Sequence, residues 1–277
     1  MPQTIQQLHP TLWVSQSDFF STNSGIFFNH QHACLIDPAL VPEEIRAMKA
    51  LLSDQKLKPE NLVLTHMHWD HLFGPENFQD VRLIAQHASQ TTLSGEEADL
   101  TIEKVKRFES ENKVRRSRAF RLPCPDLTFE NIMSIQMGDC ELQLLHAPGH
   151  AADQCVIYQP NDGILWAADM LSDLEIPFVF DNLTAYQATL EKLSRLDVSI
   201  LIPGHGSITQ DPFAIRKRFE EDIAYLEELR QHVEDAVSAG HSLKEAQVAC
   251  TKMRFKYSDD NAQPHYRNVE TAYLEFS

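Results

Sequence analysis

The chain has 277 residues, 43% hydrophobic and 23% charged, an ordinary globular composition with enough apolar material for a sizeable core, which excludes a disordered chain. Its formal charge of −16 repels a phosphate backbone on average and argues against a nucleic-acid binder. Five cysteines with no CxxC spacing point to neither a disulfide framework nor a thiolate zinc site.

The opening MPQTIQQLHPTLWV has no basic segment followed by an apolar one, and no run reaches ~18 apolar residues, so the expectation is a soluble cytoplasmic protein. TLWV, GIFF and ACLI are short β-prone runs separated by turn residues. VPEEIRAMKALLSDQ then shows helical spacing through Ile45, Met48 and Leu52. NLVL and RLIA are buried-type strands on either side of THMHWDH, and polar, helix-prone sequence fills about residues 88 to 113. SIQMGDCELQLLHA has two β-like arms around Gly138-Asp139, a hairpin pattern, and QCVIY and GILWAA flank QPND in the same way. Thr184 with Gln187 matches a capping box at the start of TAYQATLEKLSRL, which the strand SILI follows. Asp211-Pro212 reads as an N-cap with proline at N1, opening a helix with an apolar stripe through Phe219, Ile223, Leu226, Val233 and Val237. Ser242 and Glu245 open a last helix in the same manner.

Chemistry concentrates at Thr65–His71. His66 and His68 stand two apart, so on an extended strand end both imidazoles project to one side and reach one ion. Asp70 and His71 follow where the chain turns, placed to serve a second. Nitrogen and oxygen donors at a strand end suit zinc, and also iron or manganese. Three isolated residues join them: His150 in HAPGHAAD, Asp169 closing ILWAAD, and His205 in LIPGHGS. Singly they read as a turn histidine, a helix-capping aspartate and a histidine between glycines. All three nevertheless occupy strand ends, where α/β sheets gather ligands.

HxHxDH, then His150 in PGH, then Asp169 after a β-run, then His205 in PGHG resembles the metallo-β-lactamase superfamily, in its dinuclear metal-hydrolase branch of the glyoxalase II and lactonase type, over about Trp13 to Gly206. The resemblance implies an α/β fold, an αβ/βα four-layer sandwich, forming a single domain over residues 1–277. A helical insert at 88–121 would lie over the cleft and a C-terminal helical extension would run over 211–277. It implies that His66, His68 and His150 bind a first metal, that Asp70, His71 and His205 bind a second, and that Asp169 bridges them. Two Zn2+ ions are implied, with iron or manganese as alternatives. A hydroxide bridging the pair would attack a small ester, thioester or lactone, with Asp70 as the catalytic residue that holds and passes on the nucleophile's proton.

Departures narrow the reading. True β-lactamases typically carry cysteine or serine at the position of Asp169, and glyoxalase II enzymes usually read THHH where this chain has Met67. A mononuclear-iron persulfide dioxygenase-like oxidoreductase, holding iron through His68 or its neighbour, His150 and Asp169, is an alternative. A phosphodiesterase or nuclease of the same superfamily is another, against which the charge of −16 speaks. A regulator that merely retains metal is disfavoured, because all seven ligand positions are filled. Eight basic residues between Lys104 and Arg121 are interleaved with Glu109 and Glu111 as on a solvated helix face. The sharper expectation is that Arg115 or Arg116 contacts a substrate carboxylate or phosphate. Phe73, Phe178 and Phe180 are candidates for an apolar pocket or for core. The expected partner is a small-molecule substrate, with neither nucleic acid nor membrane, and a homodimer through the C-terminal helices is open.

Overall fold

The computed structural model describes residues 5–92 and 94–277; residues 1–4, and Leu93 inside the expected insert, lie outside the described residues. The chain forms two compact units, Met1–His146 with Cys155–Asn161 and Ala147–Gln154 with Asp162–Ser277. Among the described residues the strands make two sheets, of seven and five strands, and no helix is long and apolar enough to cross a membrane.

In the first unit, β1 (Ile5–His9), β2 (Leu12–Gln16), β3 (Asn23–Asn29) and β4 (His32–Ile36) are followed by helix α1 (Pro42–Asp54), β5 (Lys58–Val63) and β6 (Arg82–Gln86). Helices α2 (Ser89–Thr92) and α3 (Gly95–Glu111) then lead to β7 (Leu127–Phe129), β8 (Ile132–Met137), β9 (Cys140–His146) and β10 (Cys155–Gln159). The first seven strands form one sheet in chain order. Pairing is antiparallel through β4, where short turns suffice, and parallel from β4 to β7, where crossovers are needed. Helix α1 is the first crossover. It buries Ile45, Met48 and Leu52 as their spacing predicts, and its buried Glu44 accepts hydrogen bonds from the backbone N–H groups of Leu40 and Val41 and from the Ser17 hydroxyl. Helices α2 and α3 belong to the β6–β7 crossover, so the expected insert is a connection that the parallel pairing requires. Strands β8, β9 and β10 pair antiparallel. The expected hairpin closes between Met137 and Cys140, with Gly138 at φ +62, a conformation glycine adopts without the Cβ penalty.

Two strands escape the sequence patterns. β1 is half polar and only partly buried, and β7 has three residues.

The second unit holds β11 (Ile164–Trp166), α4 (Leu183–Leu193), β12 (Ile200–Ile202), α5 (Pro212–Ser238), α6 (Leu243–Cys250) and α7 (Ala262–Phe276). β11 and β12 run parallel. Asp211 caps α5 through the Phe213 N–H with Pro212 in the first turn, and Ser242 and Glu245 form the expected capping box on α6. Phe219, Leu226 and Val233 of the α5 stripe are buried together with Tyr225 and Leu229, while Ile223 and Val237 are half-buried. The cap of α4 differs from expectation. Asn182 accepts the Ala185 N–H, whereas the Thr184 hydroxyl bonds Glu275 and Arg230, and Gln187 accepts from Arg230. Tertiary contacts with α5 and α7 have taken the residues that spelled a capping box.

Candidate metal centre

In the first unit β5 ends at Val63 and the chain leaves the sheet through Leu64–His68 into a single 3-10 turn, Trp69–His71. His66 and His68 therefore lie beyond the strand, and the path of this loop, rather than β-pleat alternation, brings them together. The ring centres of His66 and His68 are 4.5 Å apart, those of His66 and His71 4.3 Å, and His71 Nε2 is 3.8 Å from Asp70 Oδ2. His66 and His71 are buried; His68 and Asp70 are partly exposed.

Asp37 organises this cluster, and no motif in the sequence marks it. It stands just beyond β4 at φ +41 and is 3% exposed. Its Oδ1 accepts the Thr65 N–H at 2.9 Å, and its Oδ2 accepts the Thr65 hydroxyl at 2.6 Å and faces His71 Nδ1 at 3.0 Å. His71 must therefore carry its proton on Nδ1. The Thr65 hydroxyl, its proton committed to Asp37, is an acceptor for His66 Nδ1 at 3.0 Å. Both rings consequently present Nε2 as a bare donor atom, the state a metal ligand needs. The only sequence signal is an aspartate closing the apolar run ACLI. Asp37→Asn places an amide against the Nδ1–H of His71, and metal affinity measured by competition with a chelator should fall about 10–100-fold, as for other outer partners of metal-bound histidines.

The turn itself is buttressed by aromatics. Trp69 meets Phe108 of α3 at 5.2 Å, Phe20 at 5.8 Å and Phe73 at 6.0 Å, and Phe73 is fully buried with Leu40, Val41, Val105 and Phe108. Phe73 is thus core. Arg116 is not presented to a substrate as expected. Its guanidinium lies 4.2 Å over the Phe73 ring and pairs with Glu76 at 3.1 Å and with Glu109, its side chain 5% exposed. Arg115 is exposed.

In the second unit the parallel register aligns Trp166 with Ile202, so Asp169 and His205, each three residues further on, leave the pair side by side. His205 Nε2 lies 3.5 Å from Asp169 Oδ2, and His150 Nε2 lies 3.4 Å from the same oxygen. His150 Nδ1 donates to the Phe178 carbonyl at 3.0 Å, which leaves its Nε2 as a lone pair facing a carboxylate. A lone pair on His150 Nε2 facing an anionic oxygen is repelled unless a cation lies between them, so this arrangement fits a metal-binding carboxylate.

The glycines of the two PGH motifs are steric necessities. A Cβ on Gly204 would stand 2.2 Å from Asp169 Oδ1, and one on Gly149, at φ +128, would stand 2.3 Å from the Tyr186 Cα of α4. Tyr186 donates its hydroxyl to the Asp169 carbonyl at 3.3 Å, and the side-chain oxygen of Gln154 accepts the Asp169 N–H at 3.2 Å. Burial holds the Tyr186 phenol well above its ordinary pKa, so it stays a neutral donor.

The C-terminal helices hold the segment 171–179, just beyond Asp169. Arg218 donates to the Leu171 carbonyl, Lys256 to Ser172, Asn261 to Leu174 and Asn268 to Pro177, while the Val179 N–H donates back to Asn268. Phe178, between the two residues that Asn268 holds, is the residue whose carbonyl orients His150. Phe178 is half-buried, and Phe180, 42% exposed, meets the His150 ring edge-on at 5.3 Å. The structure thus gathers His66, His68, Asp70 and His71 in one unit and His150, Asp169 and His205 in the other.

The family model of the metallo-beta-lactamase superfamily matches residues 17–205. The chain is 26% identical over 200 residues to the beta-lactamase-like protein 2 homolog of Caenorhabditis elegans, covering 70% of this chain and only 60% of that relative's length. It is 26% identical over 217 residues to the acyl-coenzyme A thioesterase MBLAC2 of Gallus gallus, covering 70% of this chain and 76% of that protein. A metallo-beta-lactamase family protein of Thermus thermophilus superposes with a TM-score of 0.69 at 18% identity, covering 98% of this chain and 94% of that one, which establishes a shared fold. With two mixed α/β units built around these motifs and a family model spanning more than half of the sequence, the chain belongs to the metallo-beta-lactamase superfamily.

Proposed function

We propose that the seven ligand-type side chains hold two zinc ions and that the protein hydrolyses thioesters of small acyl groups. The observation that carries the reading is the convergence of His150 Nε2 and His205 Nε2 on Asp169 Oδ2, at 3.4 and 3.5 Å. In support, the ligand-type residues sort into two sets that could each hold an ion, His66, His68, His150 and Asp169, and Asp70, His71 and His205. A mononuclear-iron centre would leave the second set without a task. Bound there, the ions supply Lewis acidity and lower the pKa of a coordinated water to ~7. Asp169, facing His150 and His205, would be one of the residues that hold the ions. Asp37, through Thr65 and His71, keeps the imidazoles in the tautomer that binds. Asp70, partly exposed beside His71, holds the nucleophile's proton and passes it to the departing thiolate.

The thioester preference rests on the similarity to a relative named as an acyl-coenzyme A thioesterase. The same reading sets the protein in the cytoplasm, with its five cysteines unbridged as a reducing compartment keeps them. The test is a panel of acyl-CoA, lactone, phosphodiester and alkyl sulfate substrates offered to zinc-loaded protein, with thiol release followed for the first. Thioester cleavage that a chelator abolishes supports the proposal. Cleavage of lactone or phosphodiester with none of the thioester overturns it.

A further inference from the structure

Between α3 and β7 the chain runs without regular structure, and its stretch 113–121, KVRRSRAFR, carries five cations and no acid in a chain of formal charge −16. Its residues divide into two sets. Val114, Arg116 and Phe120 turn inward: Val114 and Phe120 pack on the cluster around Phe73, the Phe73 and Phe120 rings lie 5.8 Å apart, and Arg116 is neutralised by Glu76 and Glu109. Lys113, Arg115, Arg118 and Arg121 are exposed, and among the described residues none of the four has a carboxylate partner. The contrast with α3 next door is informative, because there Arg107 pairs with Glu111 at 2.8 Å and the charges belong to an ordinary solvated face. The segment is a cationic strap, fastened by Arg116 and Phe120 to Phe73, two residues beyond the ligand-type His71.

Four unbalanced cations on an anchored segment make a local positive field in an acidic chain. Three of the four are arginines, whose planar forks match phosphate oxygens in a bidentate manner. A single carboxylate would use only one of them. We infer that Lys113, Arg115, Arg118 and Arg121 bind the phosphate groups of the nucleotide carrier of an acyl-CoA substrate while its thioester reaches the histidine turn; this rests on the thioesterase reading. The substrate class is therefore a thioester on a polyanionic carrier, and the affinity for it resides largely in the carrier.

The test compares wild type with an Arg115→Ala/Arg118→Ala/Arg121→Ala variant on two substrates bearing the same acyl group, acyl-CoA and the phosphate-free acyl-N-acetylcysteamine thioester. KM for acyl-CoA should rise about 8-fold, the product of three exposed charge pairs each contributing about two-fold, with kcat and the hydrolysis of the phosphate-free thioester little changed. Added salt should raise the wild-type KM for acyl-CoA and leave that of the variant nearly flat. A version with lysine at the three positions should recover part of the loss, because it restores the charge without the bidentate fork. If the variant keeps the wild-type KM for acyl-CoA, the strap proposal falls while the hydrolase reading stands. If wild type cleaves neither thioester, both fall together.

Discussion

Replacing Asp169 with alanine is expected to lower kcat/KM by more than the ~10–100-fold that loss of an outer partner brings, and to weaken the binding of both ions at once. One carboxylate oxygen lies within 3.5 Å of the Nε2 atoms of two histidines, His150 and His205, so on the proposed reading its removal would withdraw a shared ligand rather than one corner of one site. The fold should survive. The backbone at this position is held by Gln154 and Tyr186, neither of which uses the carboxylate, and removing an anion from between two histidines leaves no apolar cavity. The check is steady-state kinetics on the thioester, with circular dichroism to confirm folding. A folded variant with activity within about 10-fold of wild type would mean that Asp169 is not shared.

The second large effect concerns stability. Asp222 of α5 is almost fully buried and pairs with Lys256 at 2.9 Å, and Lys256 also donates to the Ser172 carbonyl. Burial pushes the Asp222 carboxyl up to about 6 even with Lys256 opposing the shift. Lys256→Ala leaves that carboxylate buried without its counter-charge, and removing one partner of such a pair costs about 3–5 kcal/mol. The pH dependence comes from the direction of the shift. A carboxyl whose folded pKa stands above its ordinary value holds an extra proton in the folded state, so its contribution to stability declines as pH rises from about 4 to about 6 and is constant above. Urea denaturation of the Lys256→Ala variant should therefore show its largest deficit at pH 7 and a smaller one at pH 5. Lys256→Met combined with Asp222→Asn should recover much of the loss, whereas an equal deficit at both pH values would show that Asp222 is not the group responsible.

The seven ligand-type residues could be nominated because donor chemistry restricts them to a few residue types and because they lie in the loops and turns that follow strands, places that apolar runs mark in the sequence. Asp37 was not legible. It reaches Thr65 and His71 across 28 and 34 residues, and only the parallel pairing of β4 with β5 brings them level. Thr184 and Gln187 spelled a capping box correctly in local terms and lost it to Arg230 and Glu275, residues that arrive from α5 and α7. Arg116 shows the reverse: in a run of like charges nothing distinguishes it from Arg115, yet the fold buries one against Phe73 and leaves the other in solvent. Local pattern therefore nominated the donor residues, and tertiary contacts decided which side chains orient them.

Counting zinc per chain by elemental analysis, after loading and gel filtration, tests the central claim most directly. The account predicts two ions in wild type and a fall in both when Asp169 is replaced by alanine. A single ion in wild type, or two ions retained without Asp169, would contradict a shared carboxylate joining the two sets of ligands.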